Sequence, residues 1–174
     1  MNQEELLKRV SLGDKEAFRR LYQETDKAVY SFILSIMKNP QDAEEIMQET
    51  YIKIWTSAGS YLPQGKPLAW IFTIARNLCY MRFREKRRMA DMGLDELSGD
   101  EAGETCLPLE NLADVMALHA AFEILKEDER QVVMLHAAFG LKHREIAAAL
   151  GMPLSTVLSK YNRAVKKLKQ YLEI

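Results

Sequence analysis

Apolar residues along this chain recur at three- and four-residue spacing almost throughout, and strict strand-like alternation is absent. The pattern predicts an all-α protein. A short first helix covers about Gln3–Val10 and stops near Gly13; Asp14 then caps a long second helix reaching about Lys38. That helix carries an apolar stripe of Phe18, Leu21, Tyr22, Val29, Phe32, Ile33, Ile36 and Met37. Beyond Pro40, Asp42-Ala43-Glu44-Glu45 has the spacing of a capping box, which predicts a third helix capped by Asp42 with Glu45 reaching back. Ala43, Ile46, Met47, Thr50 and Ile54 share one side of it. A loop from Ser57 to Lys66 leads to Pro67, whose missing N–H suits the first turn of a fourth helix, about Pro67–Arg88.

The periodicity then breaks. Residues 91–110 hold seven carboxylates, three glycines and Pro108 but no Lys or Arg. Such a stretch cannot bury enough apolar surface to order itself, so it reads as a flexible acidic linker between two small helical domains, 1–90 and 111–174. Periodicity resumes with helices expected at about Leu112–Leu125, Asp128–Ala138, Lys142–Leu150 and Pro153–Leu172.

The last two of these are joined by only Gly151-Met152, too short a link for antiparallel packing, so they must cross steeply as a helix-turn-helix. Ile146 and Leu150 can meet Val157, Tyr161, Ala164, Val165, Leu168 and Leu172, while Ala147, Ala148 and Ala149 allow close approach. At 100° per residue, Thr156, Lys160, Arg163 and Lys167 fall in a narrow arc flanked by Ser159. Exposed cations and hydroxyls on the second helix of such a unit are what major-groove entry requires. A solvated charged face on a structural helix is the bland alternative.

Charge and composition sharpen this. The 174 residues are 48% hydrophobic and 28% charged, a soluble core-forming balance with a net charge of −1. That total hides segregation: residues 131–174 hold seven cations against Glu145 and Glu173, and Arg82-Phe83-Arg84-Glu85-Lys86-Arg87-Arg88 exceeds what helix capping needs. No apolar run could span a bilayer and no secretory signal precedes the first helix, so a cytoplasmic protein is expected. Cys79 and Cys106 form no C-x-x-C and read as reduced thiols, and His119, His136 and His143 lack metal-ligand spacing. No Ser/His/Asp set or phosphate loop appears, so neither catalysis, metal nor cofactor is expected.

Three signals in the first domain point the same way. The third helix presents Asp42, Glu44, Glu45, Gln48 and Glu49. The loop and fourth helix interleave Tyr61, Trp70, Phe72, Tyr80 and Phe83 with cations, beginning at the Arg76-Asn77 pair. Singly, most of these aromatics suit a core. Together with the basic tail they suit an unstacked strand, whose bases stack while its backbone is held electrostatically.

In this order the elements become recognisable. Asp42-Ala43-Glu44-Glu45-Ile46-Met47-Gln48-Glu49-Thr50-Tyr51, followed by Trp70-Ile71-Phe72-Thr73-Ile74-Ala75-Arg76-Asn77, closely resembles the core of a bacterial sigma factor of the extracytoplasmic-function (ECF) class. Glu145-Ile146-Ala147, Gly151-Met152-Pro153-Leu154-Ser155-Thr156-Val157 and Arg163-Ala164 resemble the promoter-reading helix-turn-helix of the same family. The resemblance covers almost the whole chain. It implies a region 2 type domain over 1–90, which docks on core RNA polymerase through Asp42, Glu45, Gln48 and Glu49. That domain would also melt the −10 promoter element, holding a flipped base in the Ser57–Lys66 loop. Ser60, Tyr61, Lys66, Trp70, Arg76, Asn77, Tyr80, Arg82 and Arg84 would line the strand. It implies a region 4 type domain over 111–174 that reads the −35 element of promoter DNA through Ser159, Lys160 and Arg163, with Arg144, Ser155, Thr156 and Lys167 beside them. The acidic linker would thread the polymerase's nucleic-acid channel.

Three positions depart from the family pattern: Leu158 stands where a basic residue is usual, Lys160 replaces an Arg and loses its bidentate geometry, and Ser155 replaces a common Gly. The resemblance therefore carries over no promoter sequence. No self-contained regulatory module is expected after Ile174, and the resemblance implies control by a separate anti-sigma factor. Two other readings fit the same residues: a stand-alone helix-turn-helix regulator that binds a duplex operator by itself, and a helical adaptor whose basic faces meet acidic proteins.

Overall fold

The computed structural model describes residues 2–63, 65–93 and 120–171. The chain divides into two compact units, Met1–Gly103 and Glu104–Ile174, and the described residues of both are helical, with no strand among them. The expected linker from Leu94 to Glu110, most of the helix expected at Leu112–Leu125, Cys106 and His119 lie outside the described residues.

In the first unit, α1 (Gln3–Ser11), α2 (Lys15–Met37), α3 (Pro40–Ser57) and α4 (Pro67–Asp91) surround one core. α2 packs on all three others. Buried in this core are Leu21, Val29, Phe32 and Ile33 of α2, Leu6 and Leu7 of α1, Ile46 and Ile54 of α3, and Ile71, Phe72 and Cys79 of α4. Fully burying each such large side chain is worth roughly 1.5–3 kcal/mol. Asp14 caps α2 as expected, its carboxylate accepting from the Glu16 and Ala17 amides at 3.0 Å each. The Ala17 amide and the Arg9 guanidinium together hold that carboxyl below its ordinary range.

The start of α3 corrects the sequence expectation. Asn39, in extended conformation, is its cap, accepting from the Asp42 amide at 3.0 Å, and Pro40 fills the first position. Proline at that place loses no hydrogen bond and pre-sets φ, so the helix begins two residues before the expected box. Asp42 and Glu45 are thereby released from capping. α4 also continues to Asp91, past the expected Arg88. The stripe of α2 differs from the expected one: Tyr22 is 40% exposed, whereas Ala17, Thr25 and Leu34 are buried. The Thr25 hydroxyl donates to the Leu21 carbonyl at 2.7 Å, so the Tyr51 hydroxyl must donate to Thr25 across 2.8 Å.

In the second unit, residues 120–123 are helical, followed by α5 (Glu127–Val133), a π-helical turn (Met134–Ala138), α6 (His143–Leu150) and α7 (Leu154–Tyr171). Arg130, 8% exposed, donates to the carbonyls of Phe122 and Leu125 at 3.1 and 3.4 Å, tying α5 to the segment before it. Gly151 ends α6 in the left-handed region (φ 61°), where a side chain is strained, and α7 begins three residues later. Val157 and Ala164 of α7 are fully buried, with Tyr161 and Leu168 packed beside Ala164.

Candidate polymerase and nucleic-acid interfaces

The carboxylates of α3 are divided between two sides of that helix. Asp42, Glu45 and Glu49, three and four residues apart, form one stripe and meet α4. Arg82 donates to Glu45 at 2.7 Å and to Glu49 at 2.8 Å, and stands 3.8 Å from Asp42; Lys86 donates to Asp42 at 2.6 Å. The Glu45 hydrogen bond, with the charges of Glu49 and Glu45, outweighs partial burial and raises Arg82 further above its ordinary range. Three of the four residues expected to bind polymerase are thus engaged within the protein. Gln48 is exposed beside this stripe, turned towards α2, and with Lys15 and Glu44 it lines a mainly apolar groove of about 790 Å³ between α2 and α3, formed by Phe18, Tyr22, Met47, Tyr51, Ile52 and Trp55. Ile52 is 64% exposed there. Sequence reading missed this apolar groove because its aromatics fit a core stripe equally well.

α4 separates its cations in the same manner. Arg82 and Arg84, two residues apart, point to nearly opposite sides at about 100° per residue. Arg84 is exposed on the side of Trp70 and Asn77, each seven residues from the next. Tyr80 neighbours this side, with the Arg76 guanidinium 4.7 Å above its ring and Phe83 edge-on at 6.2 Å. Burial leaves Arg76 Nε with no hydrogen-bond partner among the described residues. The loop before α4 is closed on itself and on α1. Tyr61 packs edge-on against Trp70 at 5.5 Å, its hydroxyl accepts from the Lys66 amide at 3.2 Å, and Glu4 accepts from the Gly65 amide at 3.1 Å. Ser60 is exposed at its start, in a 3-10 turn. Of the nine residues expected along the −10 strand, eight fit the loop or this side of α4, and Arg82 does not.

The helix-turn-helix divides its charges likewise. Lys160 donates to Asp128 at 2.9 Å, and Lys167 donates to Glu129 at 2.7 Å. Glu129, 3% exposed, also accepts from the Lys126 amide at 3.1 Å. Burial pushes its carboxyl up, but the Lys167 hydrogen bond, that amide, and the charges of Lys167 and Arg163 together hold it below its ordinary range. Two of the four residues of the expected basic arc therefore anchor α7 to α5, and Thr156 is half-buried. Arg144, Ser155, Ser159 and Arg163 are exposed, Arg163 donating to the Ser159 carbonyl at 3.3 Å. Asn162 and Lys166, not anticipated, continue the exposed row 155, 159, 162, 166. Centring the helical projection on Val157 and Ala164 would have found them.

Behind α7 lies a ring cluster. His136 and His143 stack at 4.3 Å, and each meets Tyr161 edge-on at 4.9 Å. His136 Nδ1 donates to the Leu141 carbonyl at 2.8 Å, which fixes its tautomer, whereas His143 Nε2 is buried without a hydrogen-bond partner among the described residues. Burial first, and the neighbouring His136 second, lower the His143 pKa. A histidine held neutral stabilises the fold fully above the unfolded-state value of about 6.5, and that stability is lost as the pH falls below it. Acidification from pH 7.5 to 5.5 is expected to lower the melting temperature. His143→Phe keeps a ring in the stack without titrating, so its profile should be shallower; equal slopes would exclude His143 as the source.

Comparison with known proteins agrees with this architecture. Residues 21–89 match the Sigma-70 region 2 family, and residues 115–168 match Sigma-70, region 4. The chain is 30% identical over 148 residues to the ECF RNA polymerase sigma factor EcfG of Rhodopseudomonas palustris (strain TIE-1), covering 83% of this chain and 78% of that one. It is 29% identical over 175 residues to the ECF RNA polymerase sigma factor SigK of Mycobacterium sp. (strain KMS), covering 96% and 89%. Among solved structures, RpoE of Bartonella quintana in complex with the anti-sigma factor NepR superposes with a TM-score of 0.69 at 25% identity, covering 90% and 97%. CnrH, in complex with the cytosolic domain of CnrY, shares the fold with a TM-score of 0.70 at 24% identity, covering 99% and 98%. Two such regions in this order define a transcription initiation factor of the sigma-70 type. More narrowly, the chain belongs to the ECF RNA polymerase sigma factor family and is an alternative sigma factor. The stand-alone regulator and adaptor readings find no support in these comparisons. No helix among the described residues is long and apolar enough to cross a membrane.

Proposed function

We propose that the first unit docks on core RNA polymerase and opens the −10 element, while the second reads the −35 element as duplex. Docking uses the α2–α3 groove with Gln48 at its rim, and Asp42, Glu45 and Glu49 act by holding α4 in place. The opened strand runs along Ser60, Tyr61, Lys66, Trp70, Arg76, Asn77, Tyr80 and Arg84, where aromatic stacking and cations offset the few kcal/mol of base flipping. The −35 contacts come from Arg144, Ser155, Ser159 and Arg163 with Asn162 and Lys166, whereas Lys160 and Lys167 position α7. The factor acts in the cytoplasm and supplies no chemistry of its own; polymerisation belongs to the core enzyme. An anti-sigma factor is inferred as a further partner, because RpoE of Bartonella quintana was solved with one.

The observation that carries this reading is the division of cations on α4 and α7. On each helix some pair internally (Arg82 and Lys86; Lys160 and Lys167), while Arg84 and Arg163 remain exposed among groups suited to nucleic acid. Promoter-directed transcription with purified core polymerase tests it. Arg163→Ala is expected to weaken promoter use by about 1–3 kcal/mol, roughly five- to 150-fold, at one −35 position. Lys167→Ala should lower thermal stability while leaving base preference unchanged. Tight specific duplex binding without core enzyme, or unaltered transcription by Arg163→Ala, would overturn the assignment.

A further inference from the structure

Leu158 is 40% exposed on α7, and Leu154, one turn earlier, is only half-buried. A lone exposed leucine normally requires no explanation. This one is placed where it does. It stands in the first half of the second helix of a helix-turn-helix, the part that meets base edges first. Its exposed neighbours are Ser155, Ser159 and Asn162, followed by the cations Arg163, Lys166 and Lys169. That charge fits a phosphate backbone, so the apolar side chain is carried into a groove whose edges are polar with one exception. The C5-methyl of thymine is the apolar group the major groove displays. A cation at position 158 could hold a phosphate or a guanine; leucine can do neither.

We propose that Leu158 is a specificity-determining residue that packs on a thymine C5-methyl within the −35 element, making promoter selection by this factor methyl-dependent. The proposal rests on α7 being the −35 reading helix. Burying one methyl against leucine is worth roughly a three- to tenfold change in binding. Deoxyuridine keeps every hydrogen-bonding group of thymine and lacks only the methyl, so it isolates the contact.

The experiment uses the full chain in holoenzyme with core polymerase. A −35 sequence is first selected from a randomised library, and each thymine in it is then replaced singly by deoxyuridine. With the wild-type factor, one or two positions should lose three- to tenfold in open-complex formation. With Leu158→Ala the same replacements should have no effect, and its unchanged melting temperature would show that the fold is kept, since the side chain is exposed and alanine favours helix. Leu158→Lys should also abolish the methyl effect, and should steepen the salt dependence by about one phosphate contact. A selected element without thymine, no uracil-sensitive position, or an equal uracil penalty in Leu158→Ala would each overturn the proposal. The two levels fail differently. If full base-pair changes at −35 have no effect either, the reading of α7 falls. If base-pair changes matter and methyl removal does not, only the role of Leu158 falls.

Discussion

Replacing Arg82 by glutamate is expected to destabilise the first unit by about 2–3 kcal/mol, while the same change at Arg84 should shift stability by less than about 0.5 kcal/mol. Breaking a fully buried ion pair costs about 3–5 kcal/mol and an exposed one about 0–1 kcal/mol. Arg82 lies between these limits: its side chain is 19% exposed, while Glu45 and Glu49 are 49% and 47% exposed and so partly screened by water. Charge reversal adds repulsion from Asp42, Glu45 and Glu49, which moves the expectation above the simple midpoint. The loss should shrink in high salt. Glu49→Arg placed in the Arg82→Glu background should restore part of the stability, because it re-creates an opposite-charge pair across α3 and α4. Urea unfolding of the four proteins at low and high salt measures all of this. If Arg82→Glu unfolds at the same urea concentration as wild type, the cluster adds no net stability. The pair of variants also serves function: Arg84→Glu should impair strand binding in a folded protein, whereas Arg82→Glu impairs it by loosening α4.

Phe72→Ala should be more damaging still, by about 3–5 kcal/mol. Its side chain is fully buried and meets Phe32, also fully buried, with ring centres 4.9 Å apart and planes inclined at 65°. That edge-on arrangement adds about 0.5–1.5 kcal/mol to area burial alone. Phe32→Ala and Phe72→Ala combined should therefore cost less than the sum of the singles by about that amount. Phe72→Leu fills most of the volume and should be much milder. Trp70 and Asn77 stand on the side of α4 away from Phe72, so this ring sets where they point. Equilibrium unfolding of the three single and double variants is the measurement, and strict additivity would show that the rings do not interact beyond burial.

The helical architecture was legible because its punctuation is chemical. Asp14, Gly13, Pro67 and Gly151 mark element ends through hydrogen bonding or backbone freedom, and those ends lie where the residues indicate. At α3 two start signals competed, and Pro40 with Asn39 prevailed over Asp42 because proline can occupy a first turn without loss. The sites were less legible. A sequence reports that Arg82, Lys160 and Lys167 are charged, but not that Glu45, Asp128 and Glu129 await them from other helices. Helical arcs drawn on charge alone therefore mixed anchoring cations with exposed ones. The π-helical turn at Met134–Ala138 and the ring cluster of His136, His143 and Tyr161 gave no local signal at all, since they arise from tertiary packing.

Val157 and Ala164 seat α7, and Lys160 and Lys167 hold it from one side. The rotational phase of the helix is thus locked by residues other than those it displays. Positions 155, 158, 159, 162 and 166 behave like movable type in a fixed frame: their identities can be exchanged without resetting the helix. Divergence of promoter choice can then proceed by single substitutions on that row, with little penalty in folding, whereas a change at 160 or 167 loosens the frame without rewriting any letter.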